Sequence, residues 1–331
     1  MTPPLDAFGR QITYLRISLT DRCNLRCAYC MPAQGLRWIP RRDCLTDDEI
    51  IRIVQTASDL GINKIRLTGG EPLVRPGVVR LIERIASIPG IQDLGLTTNA
   101  MLLAKNAPLL AQAGLKRVNI SLDTLSAYRF RRITRLGTFE QAWEGILAAE
   151  QAGLAPIKLN AVIVRKFNDD ELHALARLST NHPWQIRFIE LMPIGNTQNW
   201  GEGLPALEDR YVSVQEMHTR LANLGLKPVE PSENSGPARM FLIPGALGTI
   251  GFISPLGDHF CQNCNRLRLT ADGKLRPCLV LPGEISLRDA LRNNQPLEDL
   301  FLHAVAIKPQ QHNLVSAIPA VTQHGMSQIG G

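Results

Sequence analysis

Short apolar runs alternate with helical patterns along the first two thirds of the chain. The predicted strands cover residues 14–19, 64–67, 92–96, 117–122, 157–164 and 185–190. Repeated strand-helix units of this kind indicate a parallel sheet covered by helices. Six units are fewer than the eight of a closed barrel. We therefore predict an α/β fold with an incomplete, open-sided (β/α)6 barrel, in preference to a flat doubly wound sheet.

Helix start signals separate these strands. Thr46 and Glu49 have the spacing of a capping box, and Gly61 ends the apolar pattern that follows them. Asn168 and Glu171 predict a later helix start in the same way. Beyond residue 195 the alternation stops, and proline and glycine become frequent. We therefore divide the chain into a barrel, residues 1–195, and a smaller C-terminal region, residues 196–331.

Composition narrows the class of protein. With 331 residues and 44% hydrophobic content, the chain can bury a large core. It has no apolar run of about 20 residues and no export signal at its start, so we expect a cytoplasmic protein without a membrane partner. Seven cysteines in such a chain favour metal or redox chemistry over disulfides. The net charge of +6 suits anionic partners such as nucleotides, although a merely soluble surface explains it equally well.

A first cysteine triad directly follows the first predicted strand. Cys23, Cys27 and Cys30 are spaced C-x3-C-x2-C, at the end of the barrel where barrel enzymes place their chemistry. Three thiolates can hold a cubane iron-sulfur cluster and leave one iron open for a substrate. The alternatives are buried thiols, or a zinc site that recruits a fourth ligand such as Cys44.

A second triad repeats the pattern in the C-terminal region. Cys261, Cys264 and Cys278 are spaced C-x2-C-x13-C. A zinc ribbon pairs two C-x2-C motifs, and the second motif is missing here, although His259 could complete a zinc site. If the metal is iron, the open iron can contact a substrate.

Cations interrupt three of the predicted strands. Arg16, Arg66 and Lys158 alternate with apolar residues, so they share a face with polar neighbours. Burying several cations without partners is very costly, which predicts a multiply charged anion inside the barrel. Internal salt bridges to residues such as Glu190 are the alternative.

The motifs together resemble a known family. The first triad and the Gly69-Gly70-Glu71-Pro72 segment resemble those of the radical S-adenosylmethionine enzymes. The chain resembles one family within this superfamily more closely, the GTP 3′,8-cyclases. This resemblance is carried by residues 12–32, 64–73 and 95–99 and by the second triad with the Arg-Leu-Arg that follows it. These enzymes perform the first step of molybdenum cofactor biosynthesis. The resemblance covers essentially the whole chain, including the closing Gly330 and Gly331.

The resemblance implies a reaction and its cofactors. The six cysteines of the two triads would hold two [4Fe-4S] clusters, and S-adenosyl-L-methionine would be the cosubstrate. A radical SAM lyase of this kind converts GTP to (8S)-3′,8-cyclo-7,8-dihydroguanosine 5′-triphosphate. A 5′-deoxyadenosyl radical takes the ribose 3′ hydrogen, and the resulting carbon radical attacks C8 of guanine.

The resemblance also implies the roles of individual residues. The residues expected to contact S-adenosylmethionine are Tyr29, Gly70, Ser121 and Met192. Those expected to contact GTP are Arg16, Arg66, Thr97, Lys158, Arg266, Leu267 and Arg268. Of these, Arg16, Arg266 and Arg268 are also assigned to catalysis. The closing Gly-Gly tail would reach into the active site.

Partners follow from the same resemblance. We expect a reductant such as flavodoxin or ferredoxin, cyclic pyranopterin monophosphate synthase as the recipient of the product, and a homodimer. Ala100 stands where relatives often have glycine, which puts the local turn in doubt. Cys44 is a spare thiol, and residues 201–210 are an insertion to which we assign no role.

Two other functions remain open. One is a radical enzyme that modifies peptides and carries the second triad as an auxiliary cluster. The other is a zinc-stabilised protein that binds nucleic acid. Aromatic residues make up only 5% of the chain and do not interleave with its basic residues, so we expect no nucleic-acid partner.

Overall fold

Six consecutive parallel strands form the centre of the fold. The computed structural model describes residues 2–194, 201, 204–206, 209–230, 236–257 and 260–312. The strands are β1 Tyr14–Ser18, β2 Lys64–Thr68, β3 Asp93–Thr98, β4 Arg117–Ser121, β5 Lys158–Ile163 and β6 Gln185–Glu190. Each lies within two residues of its prediction. β3 runs on to Thr98 because Thr97 and Thr98 pair with Asn119 and Ile120 of β4.

Helices connect these strands and cover one face of the sheet. They are α1 Asp47–Asp59, α2 Val78–Ala86, α3 Leu103–Gln112, α4 Ala127–Thr134, α5 Phe139–Gln151 and α6 Leu172–Asn181. The buried side chains of these helices join the outward residues of the strands, such as Leu15 and Ile17, in one hydrophobic core. The residues that alternate with Leu15 and Ile17 therefore face the inside of the barrel.

The C-terminal residues extend both edges of the same sheet. Their helices are α7 Val214–Arg220, α8 Leu287–Arg292 and α9 Glu298–Ala306. Their strands are β7 Lys227–Pro228, β8 Arg239–Leu242, β9 Thr249–Ile253, β10 Arg266–Leu269, β11 Lys274–Arg276 and β12 Ile285–Ser286. The predicted boundary at residues 195 and 196 lies outside the described residues.

The barrel is open, as predicted. The sheet order is β12-β11-β10-β1-β2-β3-β4-β5-β6-β9-β8-β7. β10 pairs in parallel with β1, and β9 pairs in parallel with β6, so eight adjacent strands run in one direction. Within the described parts of the chain, the edge strands β12 and β7 do not pair with each other. No helix in those parts is long and apolar enough to cross a membrane.

The predicted helix starts have different outcomes. Thr46 and Glu49 form the predicted capping box at the start of α1. Asn168 instead is fully buried, and its amide donates to the carbonyls of Asp123 and Val162. Its side chain therefore joins the ends of β4 and β5, and a short 3₁₀ turn precedes α6 in place of a side-chain cap.

Candidate active site

The loop with the first triad lies against the end of β2. Gly70 N donates to Thr20 O at 2.7 Å, and Glu71 N donates to Arg22 O at 2.8 Å. A Cβ on Gly70 would overlap the Arg22 carbonyl group. Glycine at this position therefore allows the two segments to make direct main-chain contact.

Buried Glu71 organises the end of the neighbouring strand. Its carboxylate accepts from Thr98 Oγ1 at 2.8 Å and from Asn99 N at 2.7 Å, and burial raises its pKa to about 7. Asn99 Nδ2 in turn lies 3.8 Å from Cys23 Sγ. The segment after β3 thus contacts the first triad directly. Ala100, the next residue, has a left-handed φ of 64°, which explains why glycine would also suit this position.

Asp123 holds the aromatic residue of the first triad. Tyr29 donates from its hydroxyl to Asp123 Oδ2 at 2.8 Å, and Val162 N donates to Asp123 Oδ1 at 2.9 Å. Burial raises the pKa of Asp123 to about 6. Our sequence analysis missed Asp123. Its signal was an acidic residue just after β4, at the end of the barrel that carries the first triad. Ser121, predicted to contact S-adenosylmethionine, ends the same strand.

The thiols of the first triad lie close enough to influence one another. Burial raises the pKa of Cys27 well above its usual value, and the charges of Cys23 and Cys30 add to this effect. Three thiolates match the protein ligands of a cubane cluster that keeps one iron open. The pKa of the Cys44 thiol is raised by burial and by Asp21 rather than by the triad. In the described parts of the chain, no three His, Cys, Asp or Glu side chains are arranged so that they could hold a single metal ion.

The second triad comes together from two antiparallel strands. Cys261 and Cys264 precede β10, and Cys278 follows β11, so all three lie at the same end of this strand pair. Burial raises the pKa of Cys264, but the charges of Arg266 and Lys308 outweigh this and bring it to about 7. The thiolate form of Cys264 is therefore favoured, whereas burial raises the pKa of Cys261. The predicted alternative ligand, His259, lies outside the described residues.

A cleft adjoins the second triad. All three of its cysteines line the cleft, together with Arg266, Arg268 and Met192. Met192, which we predicted to contact S-adenosylmethionine, therefore borders the same space as the second triad.

The two triads lie at opposite ends of β1. Cys264 is two residues before Arg266, which pairs with Tyr14 at the start of β1. Cys23 lies five residues after Ser18, the last residue of β1. A five-residue strand is about 13 Å long. The inside of the barrel therefore separates one triad from the other.

Cations line this interior. Arg16 is in register with Arg66 on one side and with Arg268 on the other. Burial lowers the pKa of Arg16 to about 10 and, with help from Arg187 and other cations, that of Lys158 to about 5. The structure thus brings together predicted residues from β1, β2, β5 and β10.

Arg187 is an interior cation that our sequence analysis missed. It is buried on β6, and burial and the charges of Arg66 and Arg117 lower its pKa to about 9. Its signal was available, because Arg187 alternates with apolar Ile186 and Phe188 in the way that Arg16 alternates with its neighbours. Arg117, on β4, is paired with Asp93.

Gly95 makes room for the Arg66 guanidinium. It lies beside Arg66 in the register of β2 and β3, and a Cβ at this position would overlap Arg66 Nη1. Without that Cβ, Arg66 crosses β3 and donates to Asn119 Oδ1 on β4 at 3.3 Å. The glycine therefore determines where this cation points.

Several polar atoms inside the barrel have no partner in the described parts of the chain. They are buried, and they include Arg66 Nε, Thr97 Oγ1 and Arg266 Nε. Each such atom costs about 1–3 kcal/mol when it stays without a hydrogen bond. All three belong to residues predicted to contact GTP. These atoms are available to form hydrogen bonds with a polar ligand.

The surroundings of Leu267 and Glu190 limit the roles considered for these two residues. The Leu267 side chain is fully buried in the core behind the sheet, so only its main chain is left to contact a ligand. Glu190, considered above as a salt-bridge partner of the cations, accepts hydrogen bonds from Ser254 Oγ at 3.0 Å and Val214 N at 2.8 Å. Glu190 thus joins β6 to the C-terminal region. Gly330 and Gly331 lie outside the described residues.

Comparisons with known proteins cover both halves of the chain. Residues 17–179 match the family model of the radical SAM superfamily, and residues 184–314 match the model described as Molybdenum Cofactor Synthesis C. The GTP 3′,8-cyclase of Pelotomaculum thermopropionicum is 49% identical over 98% of this chain and 99% of its own length. That of Moorella thermoacetica is also 49% identical, with the same coverage of both chains.

Solved structures show the same fold at low sequence identity. The crystal structure of Streptococcus suis SuiB bound to S-adenosylmethionine superposes with a TM-score of 0.59 at 14% identity. The alignment covers 88% of this chain and 65% of SuiB. The structure of anSMEcpe with bound AdoMet gives a TM-score of 0.57 at 14% identity, over 91% of this chain and 82% of that protein.

Proposed function

Because the chain belongs to the GTP 3′,8-cyclase family of radical S-adenosylmethionine enzymes, we propose that the interior described above binds GTP for cyclisation. The enzyme is a lyase that converts GTP to (8S)-3′,8-cyclo-7,8-dihydroguanosine 5′-triphosphate, the first step of molybdenum cofactor biosynthesis. Each turnover moves the ribose 3′ hydrogen to a 5′-deoxyadenosyl radical, joins C3′ to C8, and consumes two electrons and one proton.

The cysteines fit the two [4Fe-4S] clusters of this family. We propose that Cys23, Cys27 and Cys30 hold the first cluster, and that Cys261, Cys264 and Cys278 hold the second. When bound, the first cluster supplies the electron that cleaves S-adenosylmethionine to methionine and the 5′-deoxyadenosyl radical.

Residues around the first triad would position S-adenosylmethionine. Gly70 follows β2, Ser121 ends β4 and Met192 follows β6, so all three lie at the carboxyl ends of the parallel strands, as the first triad does after β1. Tyr29 is fixed by Asp123, so its ring is held in place before the cosubstrate arrives. We propose that Tyr29, Gly70, Ser121 and Met192 contact the cosubstrate at this end.

Residues between the triads would hold GTP. We propose that Arg16, Arg66, Lys158 and the missed Arg187 neutralise the triphosphate, because their side chains face the barrel interior. Thr97 would donate or accept through its unpartnered hydroxyl.

The other end would hold the guanine beside the second triad. Arg266 and Arg268 line the cleft with its cysteines, and Leu267 would contribute its main chain. We assign catalytic roles to Arg16, Arg266 and Arg268 because they connect this cleft with the interior. A buried chamber also keeps solvent away from a reactive carbon radical.

One observation carries this proposal. Buried cations with unpartnered polar atoms lie between two separate groups of three thiols. A substrate that fits this arrangement is polyanionic and has a second polar end, as a nucleoside triphosphate does.

The test is an anaerobic turnover experiment. Reconstituted protein should contain about eight iron atoms, as two cubanes require. With S-adenosylmethionine, a chemical reductant and 3′-deuterated GTP, the 5′-deoxyadenosine formed should carry deuterium. ATP is the matched control and should give little turnover. Stoichiometric zinc in place of iron, or equal turnover with ATP, would contradict the proposal.

The partners and location remain proposals. We propose that flavodoxin or ferredoxin provides the electrons and that cyclic pyranopterin monophosphate synthase receives the product. We also propose that the protein forms a homodimer and is located in the cytoplasm. The division at residue 195 and the insertion of the Gly-Gly tail into the site also remain predictions.

A further inference from the structure

Two arginine-rich segments flank the first cysteine triad. Residues 22–42 contain five arginines, residues 125–139 contain four, and neither segment contains Asp or Glu. The rest of the chain then has 27 Lys and Arg against 30 Asp and Glu, a net charge of −3, whereas the whole chain carries +6. The positive net charge of the protein is therefore concentrated in these two segments.

The two segments are packed together. Arg26 N donates to Thr134 O at 2.9 Å, and Ala28 N donates to Ile133 O at 2.9 Å. Arg135 Nη1 donates to Arg26 O at 2.8 Å. The last turn of α4 thus contacts the loop that contains Cys27.

The later part of the first segment returns to the same loop. The Arg26 guanidinium carbon lies 5.1 Å from the centroid of the Trp38 ring. Ile39 N donates to Asp21 Oδ2 at 2.6 Å, two residues before Cys23. Both segments therefore contact the loop that contains the first triad.

Many side chains of these segments are exposed. Five exposed arginines form no salt bridge with any residue that the structure describes; they are Arg22, Arg37, Arg41, Arg42 and Arg131. Tyr128, in the first turn of α4, and Leu136, two residues after the helix, are 70% and 53% exposed. We call these seven residues the arginine surface.

The chemistry of this surface selects its partner. Concentrated positive charge attracts a negatively charged partner and accelerates its association. Arginine and tyrosine are also the side chains that contribute most at protein interfaces, and exposed Leu136 adds an apolar contact. A folded acidic protein fits this combination.

Its position suggests what that protein does. The proposed function needs electrons from outside the chain, delivered one at a time to a cluster on Cys23, Cys27 and Cys30. We infer that the arginine surface docks a small acidic one-electron carrier protein, an inference that rests on the proposed function. In each encounter the carrier is oxidised by one electron, and the first cluster is reduced by one electron.

A charge-reversal experiment tests the inference. The variant Arg37→Glu with Arg131→Glu changes one exposed residue in each segment. The control, Arg80→Glu with Arg177→Glu, makes the same change of charge on exposed positions of α2 and α6. Anaerobic holoenzymes are mixed with photoreduced flavodoxin, a purified acidic carrier, and the loss of cluster absorbance is followed at several salt concentrations. Reduction by dithionite is measured in parallel.

The expected result is specific to the carrier. The surface variant should be reduced by flavodoxin about tenfold more slowly or worse at low salt, with a weaker salt dependence than the control variant. Its reduction by dithionite should be unchanged. The affinity for labelled flavodoxin, measured by fluorescence anisotropy without S-adenosylmethionine or GTP, should fall in parallel.

Other outcomes would overturn the inference. Equal flavodoxin rates in both variants would mean that the carrier docks elsewhere. Slow reduction by dithionite as well would mean that the substitutions disturb the cluster loop. With dithionite as reductant, a raised KM for GTP would show that the arginines steer nucleotide instead. Retained flavodoxin rates with lost binding to RNA or anionic vesicles would assign the surface to another partner. GTP-dependent turnover of the unchanged protein with dithionite tests the proposed function separately.

Discussion

Charged side chains inside the barrel have pKa values that respond to ligand binding. Lys158 is only 1% exposed, and burial, with the charges of Arg187 and Arg117, lowers its pKa to about 5. At neutral pH this amine is therefore uncharged in the empty site. A bound triphosphate would reverse the balance, because it favours the ammonium form.

The affinity for GTP should therefore depend on pH through Lys158. Because binding raises the pKa of Lys158 from about 5, the complex takes up one proton between the free and bound pKa values. Affinity should therefore fall as pH rises, by up to about tenfold for each pH unit. Calorimetry in two buffers of different ionisation heat, at about pH 8, should detect this uptake. Lys158→Met is the control and should lose it; unchanged proton uptake in this variant would assign the proton to another group.

The sequence allowed all six proposed cluster cysteines and most of the interior cations to be identified as candidates, because their signals are local. Cysteine spacing and a charge inside an apolar strand are visible without a structure. The roles of Asp123 and Asn168 were harder to predict. Asp123 contacts a residue of β5 that is distant in sequence, and Asn168 makes a contact with β5 that is unusual for its residue type. Asn168 looked like a helix cap, but its amide satisfies buried carbonyls instead.

Among the elements, β3 contributes to the site mainly through Gly95, which has no side chain. Gly95 leaves space that the Arg66 guanidinium fills on its way to Asn119. The strands themselves were predictable, because buried parallel strands read as apolar runs. The extent of β3 was not, since its last threonines are polar and only their pairing with β4 makes them part of the strand.

We predict that Gly95→Ala folds but binds GTP more weakly. The new methyl group overlaps only the mobile end of Arg66, so the guanidinium moves and the backbone does not need to. The dissociation constant should rise about tenfold, equivalent to about 1.4 kcal/mol, while the unfolding midpoint changes little. In an Arg66→Ala background, Gly95→Ala should have almost no further effect. Additive losses in that cycle would mean that the methyl group acts on the backbone.

At the scale of the whole molecule, Arg10 connects the two ends of the chain. Its guanidinium donates to the carbonyls of Cys261 at 2.6 Å, Pro309 at 2.7 Å and Gln310 at 3.0 Å, and it pairs with Asp6 at 2.6 Å. The N-terminal turn, the second triad and the segment after α9 therefore meet at one buried side chain. The sequence gives no sign of this junction, because its members are about 250 and 300 residues apart.

Loss of this junction should affect one cluster only. Arg10→Met leaves Asp6 buried without its cation, which costs about 3 kcal/mol or more. Iron per chain should fall from about eight atoms to about four, with the first cluster still able to cleave S-adenosylmethionine. Arg84→Met, which removes an exposed pair with Asp48, is the control and should keep all its iron. Loss of both clusters in Arg10→Met would point to general unfolding.

The parallel pairing of β10 with β1 has a consequence for substrate choice. The cysteines before β10 and those after β1 are held apart by the rise of one short strand, a spacing that neither loop can change alone. A nucleotide that is gripped by its base at one end presents its sugar at a fixed depth. If the proposed substrate is bound in this way, molecules with a shorter or longer distance between base and ribose place a different carbon before the radical, and we predict that the length of β1 then controls which carbon reacts.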